Sequence, residues 1–346
     1  MHMANELLSV PVAAGSLAIA GGLLGFICRK ARAVIHTEKL ALMGIMGAFI
    51  FAGQMVNIQL PFMPGTSGHM VGAVLLAIIL GPHAGAIVIS SVVIIQCLIF
   101  QDGGLLALGC NIINMAIVPG YLGYFVYKTV RGGNSSGVRI YIATIFACII
   151  GIEAGAVLVP IQAFFSGVLV VPFWTFLITM TGVHLLVGVV EGFITVAVLG
   201  YLQQTRSSVL TDSLPGKVRL SRKVVLTTLL VFTVIIAAGL SLLASDKPDG
   251  LELSYAERPD NSGFEPFVSN ENRTIAAVDD FHNKFSLLPD YSVRNSVLGK
   301  ITEEQIDSWA GWTSFAGVIG SVLTMVFVWL SAKLIRRRKS TEAVNN

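Results

Sequence analysis

The amino terminus of the chain carries residues that could chelate a metal ion. His2 directly follows Met1, so the terminal amine, the backbone nitrogen of residue 2 and the imidazole Nδ1 of His2 can bind one ion together. The fused five- and six-membered chelate rings would hold three nitrogens in a plane. Such tetragonal nitrogen coordination is typical of Ni²⁺ or Cu²⁺. The alternative is that His2 belongs to a frayed chain end, where disorder is common.

A second histidine, His69, could fill the open position in this plane. It ends the loop sequence PGTSGH at 64–69, whose small residues would let the terminus approach closely. A lone histidine in a loop is, however, more often a packing residue than a ligand. The metal-site hypothesis therefore requires a fold that places His69 and the terminus on the same side of the protein.

Uncharged polar residues near these histidines could orient the ligands. Polar side chains inside apolar membrane segments are costly, which makes each of them a functional candidate. Amides can hydrogen-bond an imidazole or the backbone without adding charge. Hydrogen bonding between helices is the alternative role for each one. The candidates are Ser67, Gln54, Asn57, Asn111 and Asn114.

His184 and Glu191 form another candidate pair. They are seven residues apart, which places them on one face of a helix. They could form a second metal site or a structural hydrogen-bonded pair.

The composition predicts a membrane protein. Of the 346 residues, 54% are apolar and only 12% are charged, whereas soluble domains average about 25% charged residues. Four apolar stretches are each long enough to cross a bilayer, which takes roughly 20 residues: they are 140–165, 173–202, 224–244 and 310–335. We therefore expect an all-α polytopic bundle in the lipid bilayer, with no nucleic-acid partner.

Basic runs between the apolar stretches predict the orientation, because cytoplasmic loops are enriched in Lys and Arg. Each interval between two such runs must contain an even number of spans. The interval 40–127 satisfies this rule only if a helix breaks at GPH, 81–83, where glycine and proline end helices readily. The count is then nine membrane segments, with the amino terminus outside and the carboxyl terminus in the cytoplasm. The basic runs are Arg29, Lys30, Arg32 and Lys39; Lys128, Arg131 and Arg139; Arg206, Lys217, Arg219, Arg222 and Lys223; and RRRK at 336–339.

Composition also divides the chain into units. Residues 1–204 form a core of about seven segments, 205–223 a basic cytoplasmic linker, and 224–339 an appended unit with two further transmembrane helices. Those two helices flank a polar extracytoplasmic segment, 245–308, in which P-D-G predicts a tight turn. This orientation places the amino terminus, His69 and the polar segment on one outer face.

Several stretches resemble the CbiM/NikM family, the substrate-binding membrane components of energy-coupling-factor transporters for cobalt and nickel. They are the initial MH, MPGTSGHMVGAVLLAIILGPHAGAIV, FQDGGLLALGCNIINMAIV and GVHLLVGVVEGFIT. The resemblance covers about 1–204. PDGLE at 248–252 resembles the small N-type subunit that accompanies or is fused to such components. The sequence departs from the family after MH, where MANELLS replaces a glycine-containing continuation.

The resemblance implies that Met1, His2 and His69 hold the metal. It also implies partners in a prokaryotic cell membrane, namely a transmembrane coupling (T) subunit and ATP-binding subunits. The chain itself contains no G-x-x-x-x-G-K-[ST] phosphate loop. We therefore expect a transporter subunit rather than an enzyme, with nickel(II) as the first choice of ion and cobalt(II) as the second. The alternatives are a metal-sensing receptor and an intramembrane enzyme that uses His184 and Glu191.

Overall fold

The computed structural model describes residues 1–60, 66–133, 137–206, 221–243, 249, 251, 272–291 and 311–342. Most of the predicted linker 205–223 and of the polar segment 245–308 lies outside these residues. The first half of the core contains a 3-10 turn, Asn5–Leu7, then α1 Val10–Ala31, α2 Thr37–Gln54, α3 Ala73–Leu80 and α4 Pro82–Ile95, which continues as a π-helical turn, Gln96–Phe100.

The second half of the core begins with a segment that is helical throughout. It contains α5 Leu108–Asn111, a π-helical turn Ile112–Ile117 and α6 Val118–Arg131, followed by α7 Gly137–Ser166 and α8 Phe173–Arg206. The appended unit contains α9 Arg222–Ala238, a 3-10 turn Leu240–Leu243, α10 Arg273–Phe285, a second 3-10 turn Pro289–Tyr291 and α11 Gly311–Glu342.

The predicted all-α membrane bundle is confirmed. Within the described ranges, seven helical segments are long and apolar enough to cross a membrane: Val10–Ala31, Pro82–Phe100, Leu108–Arg131, Gly137–Ser166, Phe173–Gln204, Lys223–Leu243 and Trp312–Arg336. The two strands found there are two residues each, Ile58–Gln59 and Ser67–Gly68. They pair antiparallel, with Ile58 opposite Gly68.

The helix break predicted at 81–83 is present. Gly81 adopts φ 80°, a conformation that favours glycine, and Pro82 opens α4. Two of the nine predicted segments, α2 and α3, are not among these seven helices. At eight residues α3 is about 12 Å long, too short for a hydrocarbon core of about 30 Å. It is a half-helix that packs against α4.

The appended helices pack directly on the core. Both α9 and α11 contact α2 and each other. The carbonyl of Met325 lies 3.0 Å from where a Cβ of Gly44 would be, so a glycine in α2 permits the close approach of α11. At one end of this pair, the Arg336 guanidinium donates a hydrogen bond to the Thr37 hydroxyl. The basic runs at 29–39 and 336–339 therefore flank the same end of the bundle.

Candidate metal centre

The amino terminus is an ordered, buried part of the fold. Met3, Leu7 and Leu8 are each fully buried, and they anchor the terminus in the apolar core. Burying these side chains favours the docked terminus, at about 25 cal/mol per Å² of apolar surface. The terminus is thus held in place by the core, and the alternative of a frayed chain end is not observed.

The segment 104–111 holds the backbone of the terminus through hydrogen bonds. Asn111 accepts a hydrogen bond from the backbone N–H of Met3 at 2.7 Å and donates one to the Met3 carbonyl at 3.1 Å. The N–H of Gly104 also donates to that carbonyl at 2.8 Å. A Cβ on Gly104 would lie 2.2 Å from Oδ1 of Asn5, so this position requires glycine.

His2 and His69 are brought face to face. Their rings stack with centroids 5.3 Å apart and planes inclined by 26°. Nδ1 of His2 lies 3.1 Å from a carboxylate oxygen of Asp102, and its Nε2 lies 3.1 Å from Oε1 of Gln96. The chelate geometry with Nδ1 on the ion would therefore replace the contact to Asp102.

The amine of Met1 contacts a residue of the appended unit. The amine lies 2.7 Å from Oδ2 of Asp249, and Nε2 of His69 lies 4.0 Å from the same oxygen. Sequence reasoning missed Asp249, because it lies 248 residues from Met1 in a polar segment of undefined structure. The P-D-G turn and the PDGLE stretch both contain Asp249, but the sequence assigned this residue no role in the site.

The loop that carries His69 is held by Glu191. The Glu191 carboxylate accepts hydrogen bonds from the backbone N–H groups of Val71 and Gly72, the latter at 3.0 Å. These N–H groups precede the first turn of α3, where a helix favours negative charge. Gln54 donates to the Val71 carbonyl at 2.8 Å. Together these bonds fix the backbone directly after His69.

The remaining candidates have different surroundings. Asn114 hydrogen-bonds Gln162 and the sulfur of Met3. Ser67 forms a backbone bridge with Asp249. Among the described residues, Oδ1 of Asn57 is buried and has no hydrogen-bond partner.

His184 and Glu191 have separate hydrogen bonds. Nδ1 of His184 donates to the Met180 carbonyl at 2.8 Å, whereas Glu191 binds the backbone of the His69 loop. His184 also lines a small cavity together with Met1, His69 and Asp249. Its nearness to the terminus was not foreseen, because the sequence related it only to Glu191.

Burial keeps both candidate imidazoles neutral. Removal from water lowers the pKa of His2, although the nearby Asp102 and Asp249 carboxylates oppose this shift. Burial also lowers the pKa of His69, with further contributions from the terminal ammonium and His2. A neutral imidazole has the free lone pair that a metal requires. The described residues contain no group of three His, Cys, Asp or Glu side chains that could hold a metal.

Two family descriptions match the chain. Residues 2–209 match CbiM, the cobalt uptake substrate-specific transmembrane region. Residues 223–337 match the PDGLE domain.

Relatives and solved structures agree with these matches. The putative fused nickel transport protein NikMN of Archaeoglobus fulgidus is 32% identical over 330 residues, covering 94% of this chain and 96% of the relative. The cobalt transport protein CbiM of Acetoanaerobium sticklandii is 36% identical over 109 residues, or 32% of this chain and 44% of the relative. A crystal structure of a transition metal transporter is similar with a TM-score of 0.52 and 30% identity, covering 59% of this chain and 92% of the other.

Proposed function

The chain belongs to the CbiM family and carries a fused PDGLE domain, which makes it a nickel or cobalt transport component of a membrane; we propose that it captures the ion outside the cell for an ATP-driven importer. In this proposal the ion binds between the Met1 amine, the backbone nitrogen and imidazole of His2, and the imidazole of His69. Energy from partner subunits then opens the site inward and releases the ion.

The observation that carries the proposal is the convergence of the terminus and His69. The His2 and His69 rings stack 5.3 Å apart, and one oxygen of Asp249 lies within 4.0 Å of both the Met1 amine and His69. Met1 and His2 are buried and the His69 side chain is 7% exposed, so a bound ion would be shielded from competing water. Such a set of amine, amide and imidazole nitrogens favours nickel(II) over cobalt(II), because planar nitrogen coordination is typical of nickel.

The chain requires other proteins for energy. Its sequence lacks the phosphate-binding loop of common ATPases. We assign ATP hydrolysis to separate ATP-binding subunits and their coupling to a transmembrane T subunit, so that this chain is a transporter subunit and not an enzyme.

The proposed orientation has the amino terminus outside and the carboxyl terminus in the cytoplasm. Its support is the contact between Arg336 and Thr37, which brings two basic runs to one end of the bundle. Cytoplasmic loops carry such runs. Arg139, in another of the basic runs, lies near the start of α7, whereas Gln162 near the end of α7 contacts Asn114 of the candidate centre. The centre would therefore open toward the outside of a prokaryotic cell.

The proposal is tested by nickel uptake in a host that lacks its own nickel importer. We expect ⁶³Ni²⁺ to accumulate only when the chain is expressed together with its T and ATP-binding partners, and not when His69→Ala replaces the wild type. An excess of Co²⁺ should reduce uptake less than an equal excess of unlabelled Ni²⁺. Accumulation by the chain without its partners would contradict the proposal, as would full uptake by His69→Ala.

A further inference from the structure

A residue of the appended unit, Asp249, lies beside the candidate metal centre. Asp249 forms a parallel backbone bridge with Ser67, two residues before His69. Leu251, two residues further along, is fully buried in the apolar core. This short stretch of the appended unit is therefore fixed in the core by a backbone contact and by apolar packing, directly beside the loop that carries His69.

The carboxylate of Asp249 is oriented toward the terminus. One oxygen, Oδ1, accepts a hydrogen bond from the backbone N–H of Leu251 at 2.8 Å. This local turn is typical of Asp followed by Gly. The other oxygen, Oδ2, lies 2.7 Å from the Met1 amine and 4.0 Å from Nε2 of His69. One carboxylate oxygen therefore accepts a hydrogen bond from the neighbouring backbone, and the other faces the candidate metal centre.

Charge at this position has a large effect because the site is buried. The Met1 side chain is 1% exposed and that of Asp249 is 16% exposed. A divalent ion brings two positive charges into these surroundings, where an unpaired charge is costly. A second carboxylate, that of Asp102, accepts a hydrogen bond from Tyr291 and lies beside His2. Among the described residues, Asp249 is the carboxylate in contact with the amine, at 2.7 Å.

We propose that Asp249 is a positioning residue of the metal centre: its carboxylate holds the Met1 amine beside His69 in the empty protein and offsets the charge of the bound ion. This inference rests on the proposed function, since it takes the terminus and His69 as ligands. It gives the fused unit a direct role in capture. The core supplies the nitrogens, and the appended unit supplies the negative charge that keeps the terminus in place.

The test uses the full chain, purified in detergent and freed of metal with a chelator, in wild-type and Asp249→Asn forms. Ni²⁺ binding is measured by titration calorimetry. The reactivity of the Met1 amine in the metal-free protein is measured by acylation at neutral pH and mass spectrometry of the terminal peptide. For Asp249→Asn we expect the Kd for Ni²⁺ to rise about 10- to 100-fold, as on loss of other groups that orient ligands, and acylation to become several-fold faster.

Three further variants make the outcome decisive. Asp280→Asn removes an exposed carboxylate that pairs with Lys284 on α10, and it should behave as wild type in both assays. Asp249→Glu keeps the charge and should recover part of the affinity. Because acylation can be measured in native membranes, Asp249→Asn is informative even if it does not survive purification. His69→Ala should lose Ni²⁺ binding whatever the role of Asp249.

The outcomes separate the two claims. An unchanged Kd or an unchanged acylation rate in Asp249→Asn, while His69→Ala loses binding, overturns the role of Asp249 and leaves the proposed function intact. Failure of Asp249→Glu to recover any affinity also overturns that role. Wild-type Ni²⁺ affinity in His69→Ala overturns the site itself, and with it the proposed function.

Discussion

The imidazole rings of His2 and His69 stack with their centroids 5.3 Å apart, although one belongs to the chain terminus and the other to a loop beyond α2. Two separate supports produce this contact. The backbone of Met3 is bound by Asn111, and the backbone after His69 is bound by Glu191. The positions of the two rings therefore depend on residues that hydrogen-bond the backbone near each histidine.

Glu191→Gln should weaken metal binding without removing a ligand. The carboxylate accepts two backbone hydrogen bonds, whereas an amide has only one acceptor oxygen and would turn its NH₂ group toward an N–H donor. We expect the Kd for Ni²⁺ to rise about tenfold because the His69 loop is less well fixed. Calorimetric titration of the purified chain measures this change.

Glu153→Gln is the matched control, because Glu153 lies on α7 and one of its oxygens is buried without a hydrogen-bond partner among the described residues. Its Kd should equal that of wild type. Equal affinities in wild type and Glu191→Gln would show that the hydrogen bonds of Glu191 to Val71 and Gly72 do not position His69.

Asn111→Ala should loosen the terminus. It leaves the buried N–H of Met3 without its acceptor, at a cost of roughly 1–3 kcal/mol. We expect a lower melting temperature in detergent and weaker Ni²⁺ binding. Asn283→Ala is the control, since Asn283 is exposed and its described hydrogen bond is with the Gln101 side chain. A normal affinity in Asn111→Ala would contradict the assigned role.

Gly104→Ala should displace the terminus by steric conflict. The new Cβ would lie 2.2 Å from Oδ1 and 2.5 Å from the backbone nitrogen of Asn5, so the backbone must move. We expect Ni²⁺ binding to fall at least tenfold. Gly21→Ala, on an open face of α1 with no atom within 4 Å, should bind normally and gain up to about 1 kcal/mol in helix stability. Equal loss of binding in both variants would contradict this explanation.

Tyr291→Phe should speed the release of nickel. The Tyr291 hydroxyl donates a hydrogen bond to Asp102 at 2.5 Å, and Asp102 in turn lies beside His2. Phenylalanine keeps the stacking on Phe100, whose centroid lies 4.9 Å away. Loss of one hydrogen bond predicts a dissociation rate about 2- to 10-fold higher. Stopped-flow mixing with a chelator measures this dissociation rate.

Tyr141→Phe, near the start of α7 and far from the centre, is the control and should leave the dissociation rate unchanged. An unchanged rate in Tyr291→Phe would contradict the proposed link from Tyr291 through Asp102 to His2.

Much of the fold could be predicted from local sequence. Long apolar stretches predict the helices because length and hydropathy are local properties. The break before Pro82 was predictable because Gly81 and Pro82 together end a helix. The half-length of α3 was harder to foresee, since its residues 73–80 are as apolar as those of a spanning helix.

Only the nitrogen ligands of the candidate centre could be predicted from the sequence. His2 and His69 attract notice because histidine is rare in this chain, with six in 346 residues. Asp249, Asp102 and Gln96 surround them through contacts between distant segments. Such contacts leave no periodic pattern in the sequence. Glu191 was recognised as unusual, but its hydrogen-bond partners are backbone N–H groups. The sequence does not show which backbone groups lie beside a given side chain.

In the proposed site the chain terminus is itself a ligand. The most direct test is Ni²⁺ binding by the purified full chain after one residue is added before Met1, which moves the free amine away from His2 and removes the fused chelate rings. We predict that binding is lost in this variant and in His69→Ala, while Asp280→Asn binds as wild type does. Unchanged Ni²⁺ affinity in the extended chain would contradict the claim.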